Sequence, residues 1–277
     1  MRIIVAAPAY TDASGGIMCL HHLSDILCEL GVDAYIATES TFHGNKAKII
    51  LWDFKTPRSA PLGPEVPVIY PEVVFGNPLN SNHCIRWLLL APGAWGGPIT
   101  FPKNDLLYAW GDRCHPEPPR TIDGYLRVFE PRLDLFVNRN QKRNLWLTLT
   151  HKGKPYHYHA PWSKNIDAEK YKGLKHMSEL YNKARILVTY DINTFSVVQA
   201  ALCGCISVVA PKDGLSGDQQ RRDSWYHRYG IAYGYADIPR ALRTLKYLRP
   251  YIESERQNSL LSVEKFLEDI KRKFPKH

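Results

Sequence analysis

The 25 residues from Ile186 to Ala210 constrain the fold of this chain more than any other segment. An apolar run, Ile186–Tyr190, gives way to a short polar break. Thr194–Cys203 then has the composition of a helix, and Ile206–Ala210 is a second apolar run. Neither run alternates, so each predicts a strand buried on both faces, the kind found in parallel sheets covered by helices. Gly204 allows the tight return from helix to strand. Two strands joined by one helix pair in parallel through a right-handed crossover.

The N-terminus repeats the pattern. Arg2–Pro8 is a continuous apolar strand, and Tyr10–Gly16 is a polar turn ending in Ser14-Gly15-Gly16. A helix follows with Ile17, Leu20, Leu23, Leu27 and Leu30 on one face, and Gly31 closes it. Val32–Thr38 completes the unit as a strand. Further strands are expected at Val66–Tyr70, Leu106–Trp110, Tyr125–Phe129 and Leu145–Thr150. Asn82–Leu90 is expected to be a helix stopped by Pro92-Gly93, and Met177–Ala184 another short helix. From Ile238 to Phe274 the pattern is helical with a break at Pro250. The predicted class is therefore α/β, with two Rossmann-like domains facing across a cleft. Their expected bounds are 1–130 and 131–245, with a helical segment 246–277 packing back on the first. In open parallel sheets ligands bind beyond the carboxyl ends of the strands.

Charge and cysteine usage narrow the function classes. The net charge of +9 predicts an anionic partner. Nucleic acid is not expected, since no helix-turn-helix, zinc finger or RNP-type aromatic motif occurs. Part of the charge is local: Pro239–His277 carries ten Lys/Arg against five Asp/Glu, which admits peripheral contact with an anionic membrane. The six cysteines, at 19, 28, 84, 114, 203 and 205, form no CxxC pair and predict small buried hydrophobes. Apolar runs are too short to span a bilayer, and Tyr10, Thr11 and Asp12 interrupt the N-terminal run too early for a signal peptide. The expected location is the cytoplasm, with room for attachment at the inner face of a membrane.

The chemistry-bearing stretch is Tyr190–Cys205. A strand ends at Tyr190 and a helix is expected to begin at Asn193 or Thr194, either of which can cap it. The free amides there would suit a diphosphate. Asp191 stands just ahead and can accept from ligand hydroxyls. Gln199 lies farther along the helix, where its amide can hydrogen-bond a diol. This stretch resembles the donor half of retaining GT-B glycosyltransferases, notably family 4. There an acidic residue, seven others and a second acidic residue precede Ala-x-x-x-Gly and an apolar strand. Asp191 and Gln199 occupy the two acidic positions, and Ala200, Gly204 and Cys205 match the tail. The resemblance implies that Asp191 contacts the transferred sugar and Gln199 the ribose. It also implies that Ser14, Gly15 and Gly16 form the family's glycine loop, and that Lys152 neutralises the leaving diphosphate. Where the family carries an arginine five residues before that lysine, Leu147 stands here, and Arg143 or Lys154 is the substitute on offer.

Departure of a nucleoside diphosphate builds negative charge that the enzyme must stabilise. A second class of sugar transferases does so with a metal on Asp-x-Asp, a motif this chain lacks. No metal and no cofactor is expected beyond the nucleotide-sugar substrate. His157 and His159 alternate in Tyr156-His157-Tyr158-His159 and would share one face of a strand, but without a third ligand. Glu72 follows a predicted strand end, where it could serve an acceptor or catalysis. The adjacent His21 and His22 on a helix are expected to pack or face solvent. The expected function is transfer of a sugar from a nucleotide donor to a glycan or lipid-linked acceptor. Two alternatives stay open: a nucleotide-sugar epimerase on the same fold, and a non-catalytic nucleotide- or glycan-binding protein. The neutral Gln199 sustains the second.

Overall fold

A computed structural model describes residues 1–38, 63–150, 157–192, 194–212, 216–222 and 224–275. The chain divides into two compact units, Met1–Phe129 with Arg256–His277, and Glu130–Glu255. Each is built on a parallel sheet, so the chain is α/β.

In the first unit the strands are β1 (Arg2–Ala6), β2 (Asp33–Ala37), β3 (Val68–Pro71), β4 (Cys84–Leu88), β5 (Leu106–Ala109) and β6 (Gly124–Tyr125). They lie in the order β2-β1-β3-β4-β5-β6, and every neighbouring pair is parallel. Ile4, Ala6, Ala37, Val68, Tyr70, Leu79 and Cys84 form one buried cluster, each fully buried aliphatic chain contributing about 1.5–3 kcal/mol. Helix α1 (Gly15–Glu29) buries Met18, Cys19, Leu20, Leu23 and Leu27. Gly31 follows in the left-handed region at φ 76°, which terminates the helix.

The second unit holds β7 (Leu145–Leu149), β8 (Lys164–Asn165), α2 (Leu174–Lys183), β9 (Ala184–Thr189), α3 (Ser196–Leu202), β10 (Ile206–Val209), α4 (Gly217–Arg222), β11 (Ile231–Tyr233) and α5 (Ile238–Thr244). Its order is β11-β10-β9-β7-β8, again parallel throughout. Ile186, Val188, Tyr190, Val208, Ala210, Ala232 and Ala241 make its core cluster. Helix α6 (Leu248–Lys273) belongs to both units, its residues up to Glu255 to the second and those from Arg256 to the first. In the first unit, Phe266 packs edge-on against Tyr108 at 4.8 Å, and Ser259 and Ser262 accept from the backbone amides of Phe129 and Arg127.

Several expectations need correction. Asn82–Leu90 is not a helix, for Cys84–Leu88 is a central strand buried along its whole length. Arg86 is carried inside it because its Nε donates to Asp105 at 2.6 Å and its remaining nitrogens donate to the carbonyls of Val74 and Gly76. Of the strand expected at Tyr125–Phe129 only Gly124–Tyr125 is strand; the Leu126 amide still donates to the Ala109 carbonyl, and those of Arg127 and Phe129 are taken by the two α6 serines. Pro250 does not break the last helix. It sits in the first turn of α6, where its missing N–H has no intrahelical acceptor. The interruption comes just before, at the 3₁₀ turn Leu245–Tyr247. His157 and Tyr158 form a turn rather than a strand. Among the described residues no helix is long and apolar enough to cross a membrane.

Candidate functional site

Parallel pairing sends all carboxyl ends of a sheet to one edge, and strand order decides where a ligand fits along it. In the first sheet β2 lies on one side of β1 and β3 on the other. In the second, β8 lies on one side of β7 and β9 on the other. Each sheet therefore reverses once, between β1 and β3 and between β7 and β9. The loops leaving the carboxyl ends there diverge to opposite faces and leave a crevice.

At the first reversal point, the loop after β1 leads into Ser14-Gly15-Gly16 and the loop after β3 begins with Glu72. Ser14 is the N-cap of α1, its Oγ accepting from Ile17 N at 3.4 Å. A Cβ placed on Gly16 would lie 3.7 Å from Leu89 Cδ1, so the start of α1 rests against the end of β4. Glu72 is only 5% exposed, and its Oε2 accepts from Leu89 N at 2.9 Å. Cys114 Sγ donates to the Leu89 carbonyl at 3.3 Å. Burial, aided by the Glu72 charge, pushes that thiol up to about 12, which makes it unreactive at neutral pH. The backbone is pressed close here too. A Cβ on Gly97 would meet Val73 Cα at 2.6 Å and the Glu72 carbonyl oxygen at 2.7 Å. His21, on α1, is buried with Nε2 at 2.9 Å from the Pro8 carbonyl, so that nitrogen carries the proton.

At the second reversal point stand Thr150 after β7 and Tyr190-Asp191 after β9. Thr150 is tied to Asp167 through both its amide and its hydroxyl. Asp191 is 7% exposed, and its amide donates to Thr189 Oγ1 at 3.1 Å. Helix α3 begins at Ser196, later than Asn193 or Thr194, and its N-cap position is Phe195, whose side chain cannot cap. Thr194 instead turns its hydroxyl to accept from Ser196 N at 3.2 Å, a local turn that delays the helix. Gln199 is 5% exposed in the middle of a helix whose every residue is buried, so it is not a solvated helical position. Lys152, Lys154 and Asn193 lie outside the described residues.

Ser14, Gly15, Gly16 and Glu72 thus share one edge of the first unit, and Asp191 and Thr194 share the corresponding edge of the second. Arg143 does not join them. It precedes β7, and its guanidinium donates to the carbonyls of Tyr181 (3.1 Å), Ala184 (3.0 Å) and Cys203 (2.5 Å) and to Asn138 Oδ1 (2.8 Å). Those carbonyls precede or open β9 and β10. Arg143 therefore stitches together the amino edge of the second sheet, at the opposite end from Asp191. Gly204 has φ 81°, and a Cβ there would lie 2.7 Å from Arg143 Nη2. The position needs glycine both for its backbone angle and for this arginine.

An aromatic cluster at the carboxyl edge was missed by sequence reasoning. Tyr190 Oη lies 3.3 Å from Tyr158 N, 3.2 Å from His159 N and 2.6 Å from His159 Nδ1. Tyr158 stacks on Tyr235, which follows β11, with centroids 4.7 Å apart and planes at 12°. Tyr235 N donates to Tyr158 Oη at 2.7 Å, and Tyr235 Oη donates to the Tyr158 carbonyl at 2.9 Å. The signal for it was the sequence Tyr156-His157-Tyr158-His159, an aromatic run too polar for a core strand. Among the described residues no group of three or more His, Cys, Asp or Glu could hold a metal ion. Comparison with known protein families and with characterised proteins gave no match.

Proposed function

We propose that this chain is a GT-B glycosyltransferase moving a sugar from a nucleotide-sugar donor to a glycan or lipid-linked acceptor, with retention at the anomeric carbon and without a metal. What carries the reading is where its motif residues fall: Asp191 and Thr194 flank the reversal point of one parallel sheet, Ser14–Gly16 and Glu72 that of another. Departure of the nucleoside diphosphate develops charge on the bridging oxygen, which fixed dipoles and cations stabilise without reorganising. In this reading Lys152, with Lys154 nearby, meets that charge. Asp191 accepts from hydroxyls of the transferred sugar, and Gln199 from or to the ribose. The backbone around Ser14-Gly15-Gly16 closes on donor phosphate or acceptor, and Glu72 orients the acceptor. The leaving phosphate itself takes the acceptor proton, so no separate base is required. The setting proposed is cytoplasmic, at or near the inner face of an anionic membrane.

Thermal-shift measurements against UDP-, GDP-, dTDP- and CMP-sugars test the donor class, since a ligand of the folded state raises its melting temperature by mass action. Asp191→Ala should abolish transfer and keep the melting temperature of the unliganded protein. Unchanged transfer in that variant sinks the assignment. Conversion of a nucleotide sugar with no acceptor present would point to an epimerase instead. Tight binding without turnover across varied acceptors would point to a non-catalytic binding protein.

A further inference from the structure

The second unit carries a basic and aromatic face away from its site residues. Between Arg228 and Pro250 stand Arg228, Arg240, Arg243, Lys246 and Arg249, against the acid Asp237. Asp237 is taken by Arg240 at 2.7 Å and Arg221 at 3.1 Å, Glu253 pairs with Arg249 at 3.5 Å, and Glu255 faces Tyr251. Arg228, Arg243 and Lys246 are exposed, and among the described residues none of the three is held in an ion pair. Three tyrosines gather the cations into a patch. The Tyr229 ring centroid lies 5.7 Å from that of Tyr247 and 5.3 Å from that of Tyr251. The Arg228 guanidinium sits over Tyr229 at 5.4 Å and over Tyr251 at 5.9 Å, and Lys246 Nζ over Tyr247 at 5.0 Å. Leu242 and Arg243 precede Lys246 and Tyr247 by four residues on a helical path from Ile238, the spacing of one helix face. Leu242 is 50% exposed and Tyr247 51%. The patch is preformed. A Cβ on Gly230, at φ 70°, would meet Leu245 Cδ1 at 2.8 Å, and Gly230 N donates to Thr244 Oγ1 at 3.2 Å. Gly230 leads into β11, so the face belongs to the amino edge of the second sheet, the opposite edge from Asp191.

We propose that this face, built of Arg228, Arg243, Lys246, Tyr229, Tyr247 and Leu242, docks the second unit on an anionic lipid surface. Cations not paired within the protein complement headgroup phosphates, each contributing about 5-fold in affinity near such a surface. Tyrosine, with an apolar ring and a polar tip, suits the headgroup level. Leu242 and the Tyr247 ring add apolar surface that the acyl boundary covers and that a nucleic-acid backbone or a free phosphate would leave wet. Lipid therefore fits the whole patch, whereas a soluble polyanion fits its charges only. Docking through the amino edge leaves the carboxyl edge open, so lipid and nucleotide would not compete. The inference rests on the membrane setting proposed above and not on the sugar-transfer chemistry.

Cosedimentation of the full chain with vesicles of phosphatidylcholine, alone or with about one-third phosphatidylglycerol, tests the proposal. The expected result is binding to the anionic vesicles only, weakening as salt is raised. Arg228→Gln/Arg243→Gln/Lys246→Gln should weaken that binding about 100-fold, and Arg228→Lys/Arg243→Lys should preserve it. Leu242→Ser/Tyr247→Ser should weaken it about 10-fold at unchanged charge. The charge variants lie at exposed positions and should keep the native melting temperature, so their loss of binding is not loss of the fold. Equal binding to the two kinds of vesicle overturns the proposal, as does native affinity in the triple variant. So does a protein that ignores vesicles yet binds single-stranded RNA through these cations, for the face would then serve nucleic acid. Vesicle binding without sugar transfer leaves this inference standing and removes the glycosyltransferase reading. Transfer from a nucleotide sugar without vesicle binding does the reverse.

Discussion

Replacing Arg143 by alanine separates a structural arginine from a ligand-binding one. The guanidinium makes four hydrogen bonds, three to backbone carbonyls and one to Asn138. Such bonds contribute about 1 kcal/mol each net, somewhat more from a charged donor. The side chain is half-buried, so water reaches part of the vacated space and the four do not count in full. About 3 kcal/mol of destabilisation is expected, which for a unit of this size lowers the melting temperature by roughly 10 °C. The cost falls on the amino edge of the second sheet, opposite Asp191, so binding of any nucleotide sugar by the remaining folded protein should be unchanged. Urea denaturation gives the first quantity, and calorimetric titration below the melting range gives the second. An Arg143→Ala protein with native stability and no nucleotide binding would refute the placement and return this arginine to the ligand site.

Other perturbations follow from the same contacts. Arg86→Met should cost about 3–5 kcal/mol by leaving Asp105 charged and unpaired in the first core, and Arg86→Met/Asp105→Leu together should recover much of it in urea titrations. Burial, partly offset by the bond to Pro8, holds the His21 imidazole below its ordinary 6.5. The unfolded chain then takes up the proton first as pH falls, so stability is constant above about 6.5 and declines below it. In urea midpoints taken near pH 7.5 and about pH 5.5, His21→Gln should show less of that decline. Gly97→Ala puts a methyl against backbone rather than a yielding side chain, and should cost about 1–3 kcal/mol in a thermal melt.

The compact strand–helix–strand pattern at Ile186–Ala210 was legible because β9, α3 and β10 are near neighbours in sequence, and every residue of α3 is apolar or buried. What failed was decided at long range. Cys84–Leu88 reads equally as helix or strand, and only Asp105, nineteen residues on, makes room for Arg86 inside a sheet. The amides of Arg127 and Phe129 looked like strand amides, yet their acceptors are serines more than a hundred residues away. Arg143 looked like a substitute for a missing cation because it is close in number to Lys152. Strand polarity, which sequence distance does not reveal, puts it at the other end of β7. Asp191 follows directly on β9, where the strand–break–helix pattern put it, whereas the contact between His159 and Tyr190 could not be read, since it joins residues 31 apart in the chain.

The division of α6 between the two units has a consequence for the order of synthesis. The unit encoded second, Glu130–Glu255, is an unbroken stretch and can complete itself as it leaves the ribosome. The unit encoded first must wait for Arg256 onward, because Phe266 covers Tyr108, Asp269 binds the Tyr108 hydroxyl and Lys273 pairs with Asp123. A released chain truncated after residue 255 should carry a protease-resistant second half and a labile first one. Maturation of the molecule would then run opposite to the direction of translation.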